Sequence, residues 1–175
     1  MMYVNDAYEC LIIHHPSSII HHPSSLPLAY DGRLGHGTFS SQPTPRLVLI
    51  SHPSSQRPSV IGLAMGRAHT VVLLSEGSVG VCGSNNFGQL GLPSSMLQQR
   101  PLSSLASFCY NDGQNPIVEV EHCSASVRIV PAVTNAIYIA AGDFHTGCVV
   151  RRRVVVDDVD VDDGTEVLLW GMLRE

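Results

Sequence analysis

The feature of this sequence that most constrains its fold is an internal repeat. The segment IGLAMGRAHTVVLL at 61–74 aligns without a gap on IYIAAGDFHTGCVV at 137–150. Ile, Ala, Gly, His and Thr stand at the same places in both copies. Recurrence of this kind is typical of proteins whose units pack on their neighbours.

Two further matches extend the repeat beyond this pair. SVGVCG at 78–83 matches VLLWG at 167–171 less closely, and YDGRLGHG at 30–37 matches NFGQLGLP at 86–93. The chain therefore holds parts of about three copies of one unit.

The repeated unit has the composition of short β-strands. IGLAM, HTVVLL and SVGVCG are short runs rich in β-branched residues, separated by GRA and by the turn SEG. Three such runs in so short a span leave no room for helices between them. The sequence predicts an all-β fold.

The glycines of GSNNFGQLG at 83–91 invite comparison with a phosphate-binding loop. LPSSM follows them, and neither Gly-Lys-Ser/Thr nor Gly-x-Gly-x-x-Gly opens a helix here. Tight β-sheet connections need glycine because it tolerates positive φ and close backbone approach. These glycines are interpreted as backbone geometry.

The ordered unit, with GRAHT, GDFHT and GSNNFGQLG as its specific matches, resembles the regulator of chromosome condensation (RCC1-like) repeat family. The resemblance covers roughly residues 30–175 and implies a β-propeller. We expect an incomplete propeller of about two to three four-stranded antiparallel blades at 29–175, divided roughly into 29–91 and 92–175. A poorly ordered, low-complexity segment at 1–28 precedes it.

The residues carrying the resemblance are assigned structural roles, with no catalytic, cofactor or metal site among them. They are Gly32, Leu34, Gly35, Gly66, His69, Gly83, Gly88, Gln89, Leu90, Gly91, Gly142, His145, Trp170 and Gly171. His69 and His145 occupy the same place in two repeats, so each is expected to hydrogen-bond backbone within its own blade.

The sequence departs from the family pattern in two ways. The family usually has an aromatic pair where Gly80 and Cys82 stand, whereas the second copy keeps Trp170; the first blade is therefore expected to pack less well, by a few kcal/mol. The copies are also too few to close a ring. We expect a fragment, a degenerate copy, or a ring completed by further repeats or other chains.

A metal-dependent enzyme that uses histidines near the N-terminus is the hypothesis that ranks last. HHPSS recurs near the N-terminus, bringing His14, His15, His21 and His22 close in sequence, but no cysteine or acid cluster joins them. The five cysteines form no CxxC pair, and their odd number favours reduced thiols.

The segment RRRVVVDDVDVDDG at 151–164 is interpreted as a charged antiparallel hairpin, with arginines opposite aspartates. A calcium loop starting at Asp158 fails because Asp163 stands where glycine is needed and Leu169 where the bidentate Glu belongs. A hairpin that binds a partner is the alternative, since the resemblance implies such insertions.

The length and net charge of the chain limit the classes of function that it can have. At 175 residues the chain fits one domain, and its net charge of −5 argues against general binding of nucleic acid or anionic membranes. No signal-peptide pattern or membrane-length apolar run is present, so a soluble intracellular protein, cytoplasmic or nuclear, is expected.

The functional prediction is a non-catalytic protein-interaction module that needs no cofactor. No Ser-His-Asp or Cys-His order and no paired carboxylates stand out, which leaves a rigid scaffold carrying loops. The alternative, implied by the resemblance, is guanine-nucleotide exchange on a Ran-type small GTPase.

Overall fold

A computed structural model describes residues 31–40, 42, 44–52, 58–101, 120–156 and 159–172. Within these ranges eight strands form two antiparallel sheets, with one short 3-10 turn at Ser94–Met96 between two strands of the first sheet and no α-helix. The strands are β1 (Val60–Met65), β2 (His69–Leu74), β3 (Val79–Ser84), β4 (Gln98–Pro101), β5 (Val120–Ile129), β6 (Ala136–Ala141), β7 (His145–Val156) and β8 (Val159–Gly171). The all-β prediction is confirmed.

The first sheet has the strand order β1-β2-β3-β5-β4. Every residue of β2 and β3 is buried, whereas burial alternates along most of β1. A strand covered on both faces reads as a continuous apolar run, and one at a sheet edge keeps the two-residue period. This explains why HTVVLL and VGVCG lack polar alternation.

The turn between β2 and β3 depends on Gly77. Its φ is +87°, and a Cβ there would lie 2.7 Å from the Cα of Asn135. The carbonyl of Gly77 accepts a hydrogen bond of 2.9 Å from the amide of Ala136, at the start of the second sheet. Glycine is required because this turn meets the backbone of the next sheet.

The second sheet has the order β6-β7-β8. β7 and β8 form one long hairpin whose register runs from His145 opposite Gly171 to Val156 opposite Val159. The antiparallel hairpin predicted from the arginine-rich and aspartate-rich runs is therefore present.

The main core lies between the two sheets. β2 and β3 contribute alternate residues from one face of the first sheet, and β6 and β7 contribute from the facing side of the second. Its buried members are Val71, Leu73, Val79, Val81, Leu90, Leu92, Val130, Val133, Ala136, Ile139, Cys148 and Val150. Full burial of a Val or Leu side chain contributes about 1.5–3 kcal/mol, so this interface is a main source of stability.

The opposite face of the first sheet is covered by residues that precede it in the chain. Val48 packs on Cys82 and Val127, and Ile50 packs on Val72 and Leu74. Three layers thus follow one another in chain order: the 46–50 segment, the first sheet and the second sheet. The predicted four-stranded blades appear here as a five-stranded sheet and a three-stranded sheet.

Valines lie beside the two positions at which the resemblance led us to expect aromatic residues. A Cβ at Gly80 would lie 2.8 Å from Cγ1 of Val127, and Cys82 is fully buried. The lower stability expected of this sheet stays a prediction, as does the division of the repeats at 91/92. Residues 1–28, with the histidines of the metal hypothesis, lie outside the described ranges.

Candidate interaction surfaces

The Gly-x-x-His spacing has a steric cause. A Cβ at Gly66 would lie 2.2 Å from Cε1 of His69, and a Cβ at Gly142 would lie 2.2 Å from Cε1 of His145. In both repeats the imidazole occupies the space that a side chain on the preceding glycine would need. In the Gly-x-x-His motif the histidine ring therefore packs directly on the glycine backbone.

The glycine that ends the third strand of each repeat marks a crossing of two backbones. Gly83 has φ +112° and Gly171 has φ +102°. A Cβ would lie 2.3 Å from the carbonyl oxygen of Ala68 in the first case and 2.5 Å from that of Phe144 in the second. Both glycines are fixed by their φ and by the passing chain.

The Gly-x-Leu-Gly loops connect each repeat to the next sheet. In the first joint, defined here as Arg33, Thr70 and Cys82, the carbonyl of Arg33 accepts from Thr70 Oγ1 at 2.8 Å and from Cys82 Sγ at 3.5 Å. In this joint the loop residue Leu34 is also buried. The loop is thus held by two strands of the sheet that follows it.

The second joint, defined as Gln89, Thr146 and Trp170, repeats this arrangement. The carbonyl of Gln89 accepts from Thr146 Oγ1 at 2.7 Å and from Trp170 Nε1 at 3.0 Å. Trp170 therefore does with its indole what Cys82 does with its thiol, at the equivalent position. One backbone geometry is kept by two different side chains.

The two loops differ in how their variable residue is held. Arg33 forms a buried ion pair with Asp31 and also donates to the carbonyl of Arg67. Gln89 instead accepts the amide of Phe87 on its side-chain oxygen at 2.9 Å. The Asp31–Arg33 and Phe87–Gln89 contacts each join residues two positions apart and fix the shape of their own loop.

His69 makes a contact that the expectation of a backbone bond within its own blade did not include. His69 Nε2 lies 2.9 Å from Thr146 Oγ1, in the neighbouring sheet. Because Thr146 also donates to the carbonyl of Gln89, the imidazole joins a network that links the two sheets. The neighbouring Thr in each copy is the signal that could have found it.

The remaining signature glycines lie in the two loops, and φ is +81° at Gly32, +69° at Gly35, +76° at Gly88 and +62° at Gly91. A Cβ at Gly35 would lie 3.2 Å from Cys82 Sγ, and one at Gly91 2.8 Å from Trp170 Nε1. Leu90 is fully buried beside them. This geometry favours the structural role predicted for the set.

Within the described ranges the thiols are poor nucleophiles. Burial raises the pKa of Cys82 to about 12 and that of Cys123 to about 12, and it also raises the pKa of Cys148. A thiol is reactive as its thiolate, so these groups stay protonated at neutral pH. The same ranges contain no group of three or more His, Cys, Asp or Glu that could hold a metal ion.

The β7–β8 hairpin carries exposed charge. Arg152 Nη1 donates to Glu166 Oε1 at 2.9 Å, with both side chains half-exposed, and Arg153 stands opposite Asp162 in the register. The arginine run therefore pairs with a glutamate, and one of the predicted aspartates stands opposite it in the register. Such exposed pairs contribute at most about 1 kcal/mol, so they do not explain the length of the hairpin.

The outward face of the second sheet is an exposed apolar surface that the sequence reasoning missed. Val79 and Val81 on β3 are fully buried against the second sheet, whereas their equivalents on β8, Val167 and Leu169, are 65% and 58% exposed. Tyr138, which pairs with Val149 opposite Val167, is also exposed. The repeat alignment itself could have identified this face.

Among the described residues no helix is both long and apolar enough to cross a membrane.

Comparison with known proteins shows what this geometry is similar to. The family model described as the regulator of chromosome condensation (RCC1) repeat matches residues 29–73, and a second model of the same description matches 60–89. Human Protein RCC2 is 37% identical over 100 residues, covering 57% of this chain and 17% of that protein. This chain thus spans less than a fifth of that relative.

Two further likenesses concern a nematode protein and a yeast structure. The X-linked retinitis pigmentosa GTPase regulator homolog of Caenorhabditis elegans is 46% identical over 65 residues, covering 35% of this chain and 4% of that protein. The structure of Prp20p from Saccharomyces cerevisiae, described with its binding to Gsp1p and histones, has a TM-score of 0.51 at 16% identity. It covers 71% of this chain and 26% of that one, and it supports the β-propeller fold.

Proposed function

Because this chain is an RCC1-like repeat protein, we propose that it is a non-catalytic protein-interaction module. The observation that carries the proposal is the outward face of the second sheet, here called the β8 face and defined by Tyr138, Val149, Val167 and Leu169. Exposed apolar surface of this kind marks sites of protein contact.

The occupant that fits the β8 face is another β-sheet with an apolar side. Val71 and Leu73 lie on the equivalent face of the first sheet, where the second sheet covers them completely or nearly so. The β8 face continues that stacking by one layer. A sheet from further repeats or from another chain would complete it in the same way.

The state of one repeat histidine and of two buried thiols supports the non-catalytic part of the proposal. The imidazole of His69 is engaged with Thr146, and burial keeps the Cys82 and Cys123 thiols protonated. The intracellular location, nuclear or cytoplasmic, expected from the sequence is kept as part of the proposal.

The test is a pull-down with chemical cross-linking and mass spectrometry on three proteins. The double variant Val167→Asp/Leu169→Asp adds charge to the β8 face, and Ile61→Asp adds it at an exposed apolar position of the first sheet that is 60% exposed. We expect wild type and Ile61→Asp to recover the same cross-linked partner and the double variant to lose it. A wild-type protein with no reproducible partner, or equal loss in both variants, would contradict the proposal.

The second candidate is guanine-nucleotide exchange on a Ran-type small GTPase. It is favoured by a relative that is called a GTPase regulator homolog and by the described binding of Prp20p to Gsp1p. Release of mant-GDP from Ran, measured with and without stoichiometric protein, decides it. An unchanged release rate eliminates exchange and leaves the interaction module in place.

A further inference from the structure

A groove of about 680 Å³ opens between the 46–51 segment and strand β5. It is called the basic groove here, because Arg46 and Arg128 line it together with the aliphatic side chains of Leu47, Leu49 and Met96. Its volume lies in the range of known ligand sites, which bury apolar surface around a few polar groups.

The two arginines of the groove have no carboxylate partner among the described residues. Both side chains are exposed, and none of the residues that line the groove is acidic. Elsewhere Arg33 pairs with Asp31 and Arg152 with Glu166. In a chain of net charge −5 the groove is a local patch of positive charge, and such a patch attracts anionic groups.

The apolar part of the groove comes from the alternation of the 46–50 segment. Val48 is fully buried against the first sheet, while Leu47 and Leu49 on either side are 46% and 61% exposed. In an extended chain such alternate residues face the same way. Leu47 and Leu49 therefore face away from the first sheet, and both line the groove with exposed area that a ligand could cover.

The groove is held in shape by two contacts through His36. His36 forms an antiparallel bridge with Ser126 of β5, and its Nε2 lies 3.3 Å from the carbonyl oxygen of Arg46. These contacts fix the Arg46 segment relative to the Arg128 strand. A preformed site loses less entropy on binding than one that must be ordered.

We propose that the basic groove binds an extended acidic segment of a partner protein. Carboxylates of that segment pair with Arg46 and Arg128, and its aliphatic side chains pack on Leu47 and Leu49. Nucleic acid fits less well, because the described residues that line the groove include no Phe, Tyr or Trp for base stacking. This inference rests on the proposed function and names the chemistry of one partner surface, distinct from the β8 face.

The probe is a short fluorescent peptide of alternating Leu and Glu, titrated with the full chain and followed by anisotropy. Peptides of Leu–Gln and Leu–Lys test the role of charge, and poly-Glu tests the role of the apolar side chains. Binding of Leu–Glu should exceed that of each of the three by about tenfold, and it should weaken with salt.

Two double variants with the same change of net charge locate the site. Arg46→Gln/Arg128→Gln alters the groove, and Arg67→Gln/Arg152→Gln removes two exposed arginines outside it. Leu49→Ser tests the apolar contact at an exposed position. We expect about tenfold weaker binding for the groove pair, less for Leu49→Ser, and under about twofold for the outside pair. Circular dichroism melts confirm that each variant folds.

Three results would overturn the groove proposal: no binding of the Leu–Glu peptide by folded protein, equal loss in both arginine pairs, or an equal or tighter groove-dependent affinity for a single-stranded oligonucleotide. Each is distinguishable from failure of the proposed function. Loss of the cross-linked partner in the Val167→Asp/Leu169→Asp variant would still support the interaction module, since that surface is separate from the groove.

Discussion

The two inter-repeat joints have the same backbone and different side chains. In the second joint the carbonyl of Gln89 is bound by the indole of Trp170, and in the first the carbonyl of Arg33 is bound by the thiol of Cys82. The indole also packs over Gly91. At the equivalent glycine of the first joint, Gly35, the thiol is smaller, and Val48 and Val127 occupy the remaining space. The comparison teaches that glycine positions and the threonine bond define the joint, whereas the third residue can vary if neighbours fill the volume.

The largest effect is expected at the glycines that the two joints share. Gly83→Ala and Gly171→Ala should each cost about 4 kcal/mol, because the strain of an unfavourable φ adds to the clash of the new Cβ with a carbonyl oxygen. Urea unfolding monitored by circular dichroism measures the free energy.

Gly88→Ala is the matched control for these two substitutions. Gly88 also has a positive φ, +76°, but nothing lies within 4 Å of its Cβ position. A cost of about 1 kcal/mol is expected from the backbone alone. If Gly88→Ala cost as much as Gly83→Ala, the backbone crossing would not be the reason for glycine at position 83.

The next largest effect is a difference in stability between variants of the third residue of each joint. Trp170→Ala should cost about 3 kcal/mol, since it removes a large half-buried ring and the donor to Gln89. Cys82→Ala should cost about 1 kcal/mol, because only one sulfur is lost from a site packed by valines. Thermal melts of both variants test this, and equal costs would show that the thiol joint relies on its third residue as much as the indole joint.

Replacing the threonine of each joint is expected to give a smaller difference in unfolding free energy. Thr146→Val should cost about 2 kcal/mol and Thr70→Val about 1 kcal/mol, because the Thr146 hydroxyl serves both the Gln89 carbonyl and His69 Nε2. Thr165→Val on the exposed hairpin should change stability by less than about 0.5 kcal/mol. Urea unfolding at neutral pH provides the comparison, and a reversed order of Thr70 and Thr146 would argue against the cross-sheet network.

The smallest effect is on pH dependence. The pKa of Cys82 is raised by burial from 9.0 to about 12 in the folded chain. Above pH 9 the unfolded thiol ionises while the folded one stays protonated, so stability is full below pH 9 and falls as pH rises toward 12. Urea unfolding at pH 7 and pH 10 should show a smaller loss in Cys82→Ala than in wild type. A loss of the same size in both would remove Cys82 as a cause.

The features that depend on local strand and turn chemistry could be predicted from the sequence. The features that depend on how the sheets pack together could not. The short β-branched runs and the glycine corners follow from strand and turn chemistry, so β1, β2 and β3 lie where the sequence indicates, whereas β4 and β5 were not predicted. The bond from His69 to Thr146 depends on which sheet faces meet, which a single repeat does not encode. The basic groove depends on bringing Arg46 beside a strand about eighty residues later in the chain.

The saturated carbonyl of Gln89 has a consequence for how such a chain could grow by duplication. Both of its lone pairs are occupied by donors from the following sheet, Thr146 and Trp170. A copy of the loop inserted without a following sheet that carries the threonine and the third-strand donor would lose both bonds, at a cost of about 1–3 kcal/mol if the oxygen stayed buried. The smallest copy that keeps both bonds therefore begins in one loop and ends after the strands of the sheet behind it.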